Sequence, residues 1–380
     1  MTSVSRLAYL DYNAGAPAHP EVVAAMVETL AESGNPSSVH AAGRRARVRL
    51  ESARAAVAAL VGAPGAGVVF TSGGTEANNL VLRGCGRSRV LVSAVEHASV
   101  RQAVPDAEPI PVDGDGVIDL TALRHLLAAD GAPALVSVMA ANNETGVVQP
   151  IAEVGRLAHA HGALFHCDAA QAPGRLSLSL SDGFVDFLTL SAHKLGGPAG
   201  IGALVSANAE FPLAPLLLGG GQERRRRAGT ENLAGIVGFG IAAHLAAANG
   251  AEGDRVRELR DRLEQAVMAR IPGAVVIGAA AARLCNTSCV ALPGVPSQVQ
   301  VMALDLANVA VSAGSACSSG KVGESAVLRA MGLDPAIAGS AIRVSLGWGS
   351  TDEDVEMFLS AWCDLARRKG FEVRDAAQAA

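Results

Sequence analysis

The sequence predicts an α/β protein built on a mostly parallel central sheet with flanking helices. Two observations carry this. Between residues 68 and 190 short apolar runs alternate with helical patterns, and strand–helix alternation brings successive strands parallel, with the helices as crossovers. Composition agrees: half of the 380 residues are hydrophobic, glycines number 42 and aromatics make up only 3%. Such a chain is long enough for a sizeable core and is expected to hold about two domains.

Each element has its local reason. Pro17 and Pro20 keep the entry segment Tyr9-Leu10-Asp11-Tyr12-Asn13-Ala14 out of a helix, and Pro20 then starts a helical pattern to about Ala31. Gly34-Asn35-Pro36-Ser37-Ser38-Val39-His40 reads as a turn ending in a serine N-cap, before a long helix to about Val61. The arginines of that helix (Arg44, Arg45, Arg47, Arg49, Arg54) surround Glu51 and read as a solvated face. Strands are expected at 68–71, 89–93, 134–139, 163–167 and 185–190, and helices at 75–82, 97–104, 119–129 and 151–161. Helical segments near 232–249 and 254–269 lead into a second region rich in strands and helices, about 275–365, the candidate smaller domain.

Bulk properties exclude several classes. A net charge of −5 gives no reason to expect a nucleic-acid partner. The first eleven residues hold no apolar core of signal-peptide length. The apolar stretch 233–248 is shorter than a membrane span and is interrupted by His244. Six scattered cysteines do not make a disulfide framework. The expected setting is cytoplasmic and reducing, away from membranes.

Polar residues then gather at predicted strand ends, where open α/β sheets bind ligands. Ser191-Ala192-His193-Lys194 follows the apolar run of residues 185–190 and sets a primary amine at the sheet rim. Alone, the motif reads as well as a surface loop. Thr71-Ser72-Gly73-Gly74-Thr75 lets backbone N–H groups approach an anion at a helix start, but it is neither a Walker loop nor a dinucleotide turn. Asp168 is open to two uses, a helix N-cap or the acceptor of a proton-bearing ring nitrogen. His97 either caps a short helix or stacks on a bound ring. Asn142-Asn143-Glu144-Thr145-Gly146 is a further loop after a buried strand. His159, His161, His166 and Cys167 are not expected to bind metal, since His166 and Cys167 alternate across a strand. Cys285 and Cys289 stand four apart without a second pair, which argues against zinc.

In their order along the chain, these segments resemble one family, the cysteine desulfurases of the NifS/IscS type. These are pyridoxal 5′-phosphate (PLP) enzymes of fold type I, class V. The resemblance runs from about Tyr9 to the helix after Trp348. It is carried by Gly34-Asn35-Pro36-Ser37-Ser38, Thr71-Ser72-Gly73-Gly74-Thr75-Glu76-Ala77-Asn78-Asn79, Glu96-His97, Asn142-Asn143-Glu144-Thr145-Gly146, Asp168-Ala169-Ala170-Gln171 and Ser191-Ala192-His193-Lys194. Ser312-Ala313-Gly314-Ser315-Ala316-Cys317 and Ile342-Arg343-Val344-Ser345-Leu346-Gly347 complete the set.

The resemblance implies a PLP transferase fold with a large domain over residues 14–250. A smaller α/β domain would combine residues 1–13 with 251–380 and carry a mobile catalytic loop at about 312–323. It also implies roles. Lys194 would anchor PLP covalently and move protons, Asp168 would pair with the pyridinium nitrogen, and His97 would stack on the ring and shuttle a proton. Asn143 and Gln171 would bond near the ring's phenolate oxygen. Gly74, Thr75, Ser191 and His193 would hold the phosphate, and Thr230 would reach the phosphate of a neighbouring subunit, which implies a homodimer. Arg343, with Asn35 nearby, would clamp the substrate carboxylate.

Cys317 would attack the sulfur of PLP-bound L-cysteine, leaving alanine and a persulfide. Cys85, Cys285, Cys289 and Cys363 read as buried and inert. No resident metal is expected, and Cys317 would meet iron–sulfur chemistry only while passing sulfur to a scaffold or other acceptor protein. Two departures from the family stand out. After Asp11 the chain reads Tyr12-Asn13-Ala14-Gly15-Ala16-Pro17 where the family usually has paired threonines before the proline, and Arg224-Arg225-Arg226-Arg227 carries two extra arginines. Arg224 and Arg227 are expected to be structural or close to the phosphate, and Arg225 and Arg226 to face a partner. The rival activities are a selenocysteine lyase and a plain class-V aminotransferase, and a non-catalytic module would be expected to lack Lys194 or Asp168.

Overall fold

A computed structural model describes residues 6–248, 250–314 and 325–374 of the chain. It begins with β1 (Ala8–Tyr9), α1 (Pro20–Ala31) and α2 (Ala41–Leu60). The central part follows as β2 (Val68–Thr71), α3 (Gly74–Gly84), β3 (Arg89–Ser93), α4 (Ala98–Arg101), β4 (Glu108–Ile110), α5 (Leu120–Ala129) and β5 (Ala134–Ser137). It continues through α6 (Ile151–Ala160), β6 (Leu164–Asp168), β7 (Phe187–Ser191) and β8 (Gly202–Ser206). Two long helices, α7 (Leu233–Ala248) and α8 (Gly250–Arg270), lead to β9 (Val275–Val276), β10 (Thr287–Ala291), α9 (Ser297–Asp305), β11 (Val309–Ala310) and β12 (Ser312–Ala313). The chain closes with α10 (Ala326–Ala330), α11 (Pro335–Ala338), β13 (Ala341–Ser345) and α12 (Asp352–Arg368).

The central sheet has seven strands in the order β2-β8-β7-β6-β5-β3-β4. The run β4, β3, β5, β6, β7 is parallel, and β8 lies antiparallel between β7 and β2. Strands β3, β5 and β7 are buried along their whole length, as expected where helices cover both faces. Helix α7 is buried around much of its circumference and packs on α2 through small residues. A Cβ on Gly240 would meet the Ala53 backbone at 2.7 Å, so only glycine permits that closeness. A second core joins Ala8 and Leu10 to side chains of α8, α9, α12 and the antiparallel sheet β12-β13-β10-β9. Among the described residues no single helix is long and apolar enough to cross a membrane.

Several expectations need correction. The N-cap of α2 is His40, whose Nδ1 accepts from the Gly43 N–H at 3.2 Å, and not a serine. The arginines of α2 do not form one solvated face. Arg54 is only 5% exposed and makes two hydrogen bonds to buried Glu223, at 2.7 and 2.8 Å. Strands β4 and β8 had no counterpart in the sequence reading. β4 is three residues at a sheet edge and includes Pro109, which edge strands tolerate.

Candidate active site

The C-terminal ends of the parallel strands converge on a cavity of about 330 Å³, the place where open α/β sheets bind ligands. His97 follows β3, Asn143 follows β5, Asp168 ends β6, and Lys194 closes a single 3-10 turn after β7. Gly74 and Thr75 open α3 on the cavity wall, Gln171, Ser191 and His193 line it, and Arg343 of β13 reaches it from the smaller sheet.

Asp168 is 7% exposed. Its Oδ2 accepts from Asn78 Nδ2 at 2.8 Å and its Oδ1 from the Ala170 N–H at 3.0 Å, so the carboxylate is fixed in orientation but caps no helix. The Asn78 amide also donates to Ser99 Oγ at 2.9 Å, and Ser99 in turn meets His97 Nδ1 at 2.8 Å. His97 N-caps α4, its Nδ1 accepting from the Ser99 N–H at 3.1 Å. Its ring therefore has a fixed direction while lining the cavity.

Lys194 Nζ donates to the main-chain carbonyls of Asn13 at 2.5 Å and Ala14 at 2.9 Å. Gln171 Nε2 donates to the same Asn13 carbonyl at 3.0 Å. Arg175 donates to Asn13 Oδ1, to Gln171 Oε1 and to the carbonyl of Lys194. Beside Lys194, burial and then the ammonium charge push the His193 pKa down to about 4. Its ring is thus neutral near pH 7, with Nδ1 at 3.0 Å from Ser191 Oγ. Arg343 is 3% exposed and donates to Asp11 Oδ1 at 2.6 Å and the Asn143 carbonyl at 2.9 Å.

Some expected residues fall elsewhere. Asn35 is exposed and its Oδ1 caps the Ser37 N–H, away from the cavity. Thr230 is exposed in a separate hollow beside Ser72 and Arg227. Cys317 lies outside the described residues. Arg227 pairs with Glu76 at 3.0 Å, and Arg224 and Arg225 are exposed. Arg226 is half-buried and donates to the carbonyls of Ala209 and Phe211 in its own chain. Cys85, Cys167, Cys285, Cys289 and Cys363 are free and buried. His166 bonds Ser137 and Thr189, and His159 bonds Asp186.

Residues without an assigned role in the sequence reading complete the site. Asn13, 1% exposed, is its hub. Asn78 and Ser99 orient Asp168 and His97, and Arg175 braces Lys194 from behind. Asn78 already stood in the Thr75-Glu76-Ala77-Asn78 segment, whereas nothing in the spacing marks Arg175 or Asn13.

The donor set fits PLP. A carboxylate ends the strand next to the one that leads to the primary amine, an imidazole and an amide border the same cavity, and hydroxyls meet the first turn of α3, whose N–H groups favour an anion. Asn78 Oδ1 is also buried without a hydrogen-bond partner among the described residues.

Residues 8–358 match the Aminotransferase class-V family. A cysteine desulfurase of Cereibacter sphaeroides is 46% identical over 92% of this chain and 93% of its own length. A cysteine desulfurase IscS of an Anaeromyxobacter species is 42% identical over 92% and 89%. The solved structure of a NifS-like protein from Rickettsia africae superposes with a TM-score of 0.89 at 35% identity, covering 95% of this chain and 100% of that one. The chain belongs to the class-V aminotransferase family, within its NifS/IscS-type cysteine desulfurases.

Proposed function

We propose that the protein is a PLP-dependent cysteine desulfurase that converts L-cysteine to L-alanine and keeps the sulfur as a persulfide on Cys317. The observation that supports this most is one cavity holding Lys194, Asp168, His97 and Arg343 together. When bound, PLP supplies an electron sink for the bonds at the substrate's Cα.

The chain's own groups supply the rest. Lys194 is the amine that anchors the cofactor and then moves a proton at the substrate carbon. Asp168, held by Asn78, keeps the ring nitrogen protonated. His97, aimed by Ser99, would stack on the ring and pass a proton. Asn143 and Gln171 would bond the phenolate side, and Gly74, Thr75, Ser191 and neutral His193 would hold the phosphate. Arg343 binds the substrate carboxylate.

The Cys317 thiolate attacks the substrate sulfur. The substrate's carbon–sulfur bond breaks with its electron pair left on carbon, protonation gives alanine, and the sulfur leaves on Cys317. An iron–sulfur scaffold or another sulfur-acceptor protein then takes it. The compartment we assign is the cytoplasm, where thiols stay reduced.

We assign a homodimer as the working form. Val23, Val27 and Leu30 make an exposed apolar stripe on α1, at 49, 62 and 72% exposure, an i, i+4, i+7 pattern suited to a partner surface. Leu217 and Leu218 are exposed on the segment leading toward Thr230, whose assigned contact is the partner's phosphate group. Within the chain we assign residues 14–250 to a large domain and 1–13 with 251–380 to a small one. The function is tested by absorbance of the PLP-loaded protein, then alanine and sulfide release from L-cysteine with a thiol reductant. Turnover of selenocysteine alone would instead mark a selenocysteine lyase, and unchanged turnover in Cys317→Ser a plain aminotransferase.

A further inference from the structure

Glu144 is a buried carboxyl that none of the roles above uses. Its loop is built rigidly: Asn142 Oδ1 accepts from the N–H groups of Glu144 at 2.8 Å and Thr145 at 3.0 Å, and Gly146 closes the turn onto the Asn142 carbonyl at 2.9 Å. Asn142 Nδ2 ties the loop to the Val95 carbonyl at 3.0 Å. Gly146 has φ +77°, and a Cβ there would come within 2.8 Å of Thr287, so the loop is seated against β10 in a conformation that favours glycine.

From this mount the carboxyl reaches two residues that flank Cys317 in the sequence. Glu144 Oε2 accepts from Ser325 Oγ at 2.5 Å, and the same hydroxyl accepts from the Leu328 N–H at 3.2 Å as the N-cap of α10. A Cβ on Gly314 would lie 2.5 Å from Glu144 Oε2, so residue 314 packs directly on the carboxyl, which would have to shift to admit a side chain. Gly314 follows β12, whose Ser312 pairs with Arg343 in β13. The neighbouring Asn143 carbonyl accepts from Arg343 at 2.9 Å. One short loop thus contacts the assigned substrate-carboxylate clamp through residue 143 and both flanks of the Cys317 span through residue 144.

We propose that Glu144 is a positioning residue for sulfur abstraction: it fixes Gly314 and Ser325, the described residues on either side of Cys317 in the sequence, beside Arg343. This rests on Cys317 being the sulfur-abstracting thiol. The surroundings suit a fixed carboxyl: burial pushes its pKa up to about 7, against the hydroxyl of Ser325 and the charges of Arg343, Arg101 and His97. Cys289 faces it from β10, its thiol pushed up to about 12 by burial first and by Glu144 next.

The test uses the PLP-loaded full chain and four variants: Glu144→Ala, Glu144→Gln, Gly314→Ala and Cys317→Ser. A misplacement of about 1 Å costs roughly a hundredfold in rate, so Glu144→Ala and Gly314→Ala are each expected to lower kcat by about ten- to a hundredfold. The cofactor's absorbance, its response to added L-cysteine and KM should change little. Glu144→Gln keeps an acceptor for Ser325 and should recover most of the kcat lost in Glu144→Ala. Parent-like kcat in Glu144→Ala, with Cys317→Ser inactive, overturns the inference and leaves the cysteine desulfurase reading standing. So does a Glu144→Ala protein whose cofactor no longer responds to L-cysteine, since Glu144 would then serve substrate binding. Full activity in Cys317→Ser overturns the underlying reading itself.

Discussion

Arg175 Nη2 donates to the main-chain carbonyl of Lys194 at 3.1 Å, while Nη1 holds Asn13 Oδ1 at 3.0 Å and also bonds Gln171 Oε1. No carboxylate pairs with this guanidinium among the described residues, and burial pushes its pKa down to about 10. A half-buried cation spent on main-chain and amide oxygens stiffens the backbone that carries the reactive amine. It also sets the amide of Gln171, which faces the cavity.

Arg175→Met is therefore expected to loosen the cofactor and slow turnover without unfolding the chain. Hydrogen bonds from a charged donor are worth about 1.5–3 kcal/mol, so losing this brace should weaken PLP retention by about tenfold or more. Dilution of the loaded protein, followed by absorbance of the bound cofactor, reads this directly. Retention equal to the parent's would show that Lys194 needs no such support.

The Arg54–Glu223 pair is a second device, this one buried. Glu223 is 6% exposed, accepts twice from Arg54 and also accepts from the Phe70 N–H at 2.9 Å. Glu223, Arg224 and Arg225 all sit in the left-handed region, with φ of 43°, 56° and 65°, which costs non-glycine residues energy. Removing Arg54 strands a buried carboxylate, at about 3–5 kcal/mol. Chemical denaturation of Arg54→Met should show that loss, and the double variant with Glu223→Gln should regain part of it. A loss below about 1 kcal/mol, the value typical of surface pairs, would refute the buried-pair account.

Acid should destabilise the fold through His166. It is 0% exposed between Ser137 and Thr189, and burial lowers its pKa from 6.5 to about 4. Below 6.5 the unfolded chain takes a proton that the folded one refuses until about 4, so stability from the neutral ring is present above 6.5 and is lost as pH falls. One unit of pKa is about 1.4 kcal/mol, which makes the loss roughly 2 kcal/mol between about pH 7 and about pH 5. Denaturation midpoints at those two pH values should converge less in the parent than in His166→Gln, and identical pH dependence of the two proteins would contradict it.

The proposed dimer is checked by sedimentation. Val27→Glu with Leu30→Glu places charge on the exposed face of α1 and should shift the parent's dimer toward monomer and weaken PLP retention if Thr230 serves the partner's phosphate. A parent that sediments as a monomer at micromolar concentration counts against the assignment.

Much of this was legible in the sequence, for physical reasons that differ by element. β2 and β3 match their expected bounds because Val68-Val69-Phe70-Thr71 and Arg89-Val90-Leu91-Val92-Ser93 are compact apolar runs flanked by glycine or polar residues. β8 escaped notice because Gly202-Ala203-Leu204-Val205-Ser206 follows a glycine-rich loop and runs antiparallel, a pairing that no strand–helix alternation announces. Nine of the cavity's ten expected residues arrived together because each closes or follows a strand of the central sheet, and the tenth, Arg343, enters from the middle of β13. Asn13 and Arg175 were illegible for the opposite reason: most of their partners lie far away in sequence, Asn143, Thr287 and Ser345 for Asn13 and Asn13 and Lys194 for Arg175. Arg54 misled because a single buried arginine looks like its solvated neighbours along α2. Thr230 and Asn35 remain assignments that one chain alone does not bring to the cavity.

The central claim is that sulfur passes to Cys317. The direct measurement is the mass of the Cys317-bearing peptide, digested without reductant after the PLP-loaded protein has met one equivalent of L-cysteine, with alanine counted in parallel. The account predicts one added sulfur atom on that peptide for each alanine formed, and neither in Lys194→Ala. Alanine formed with no sulfur on Cys317, or undiminished in Cys317→Ser, would contradict it.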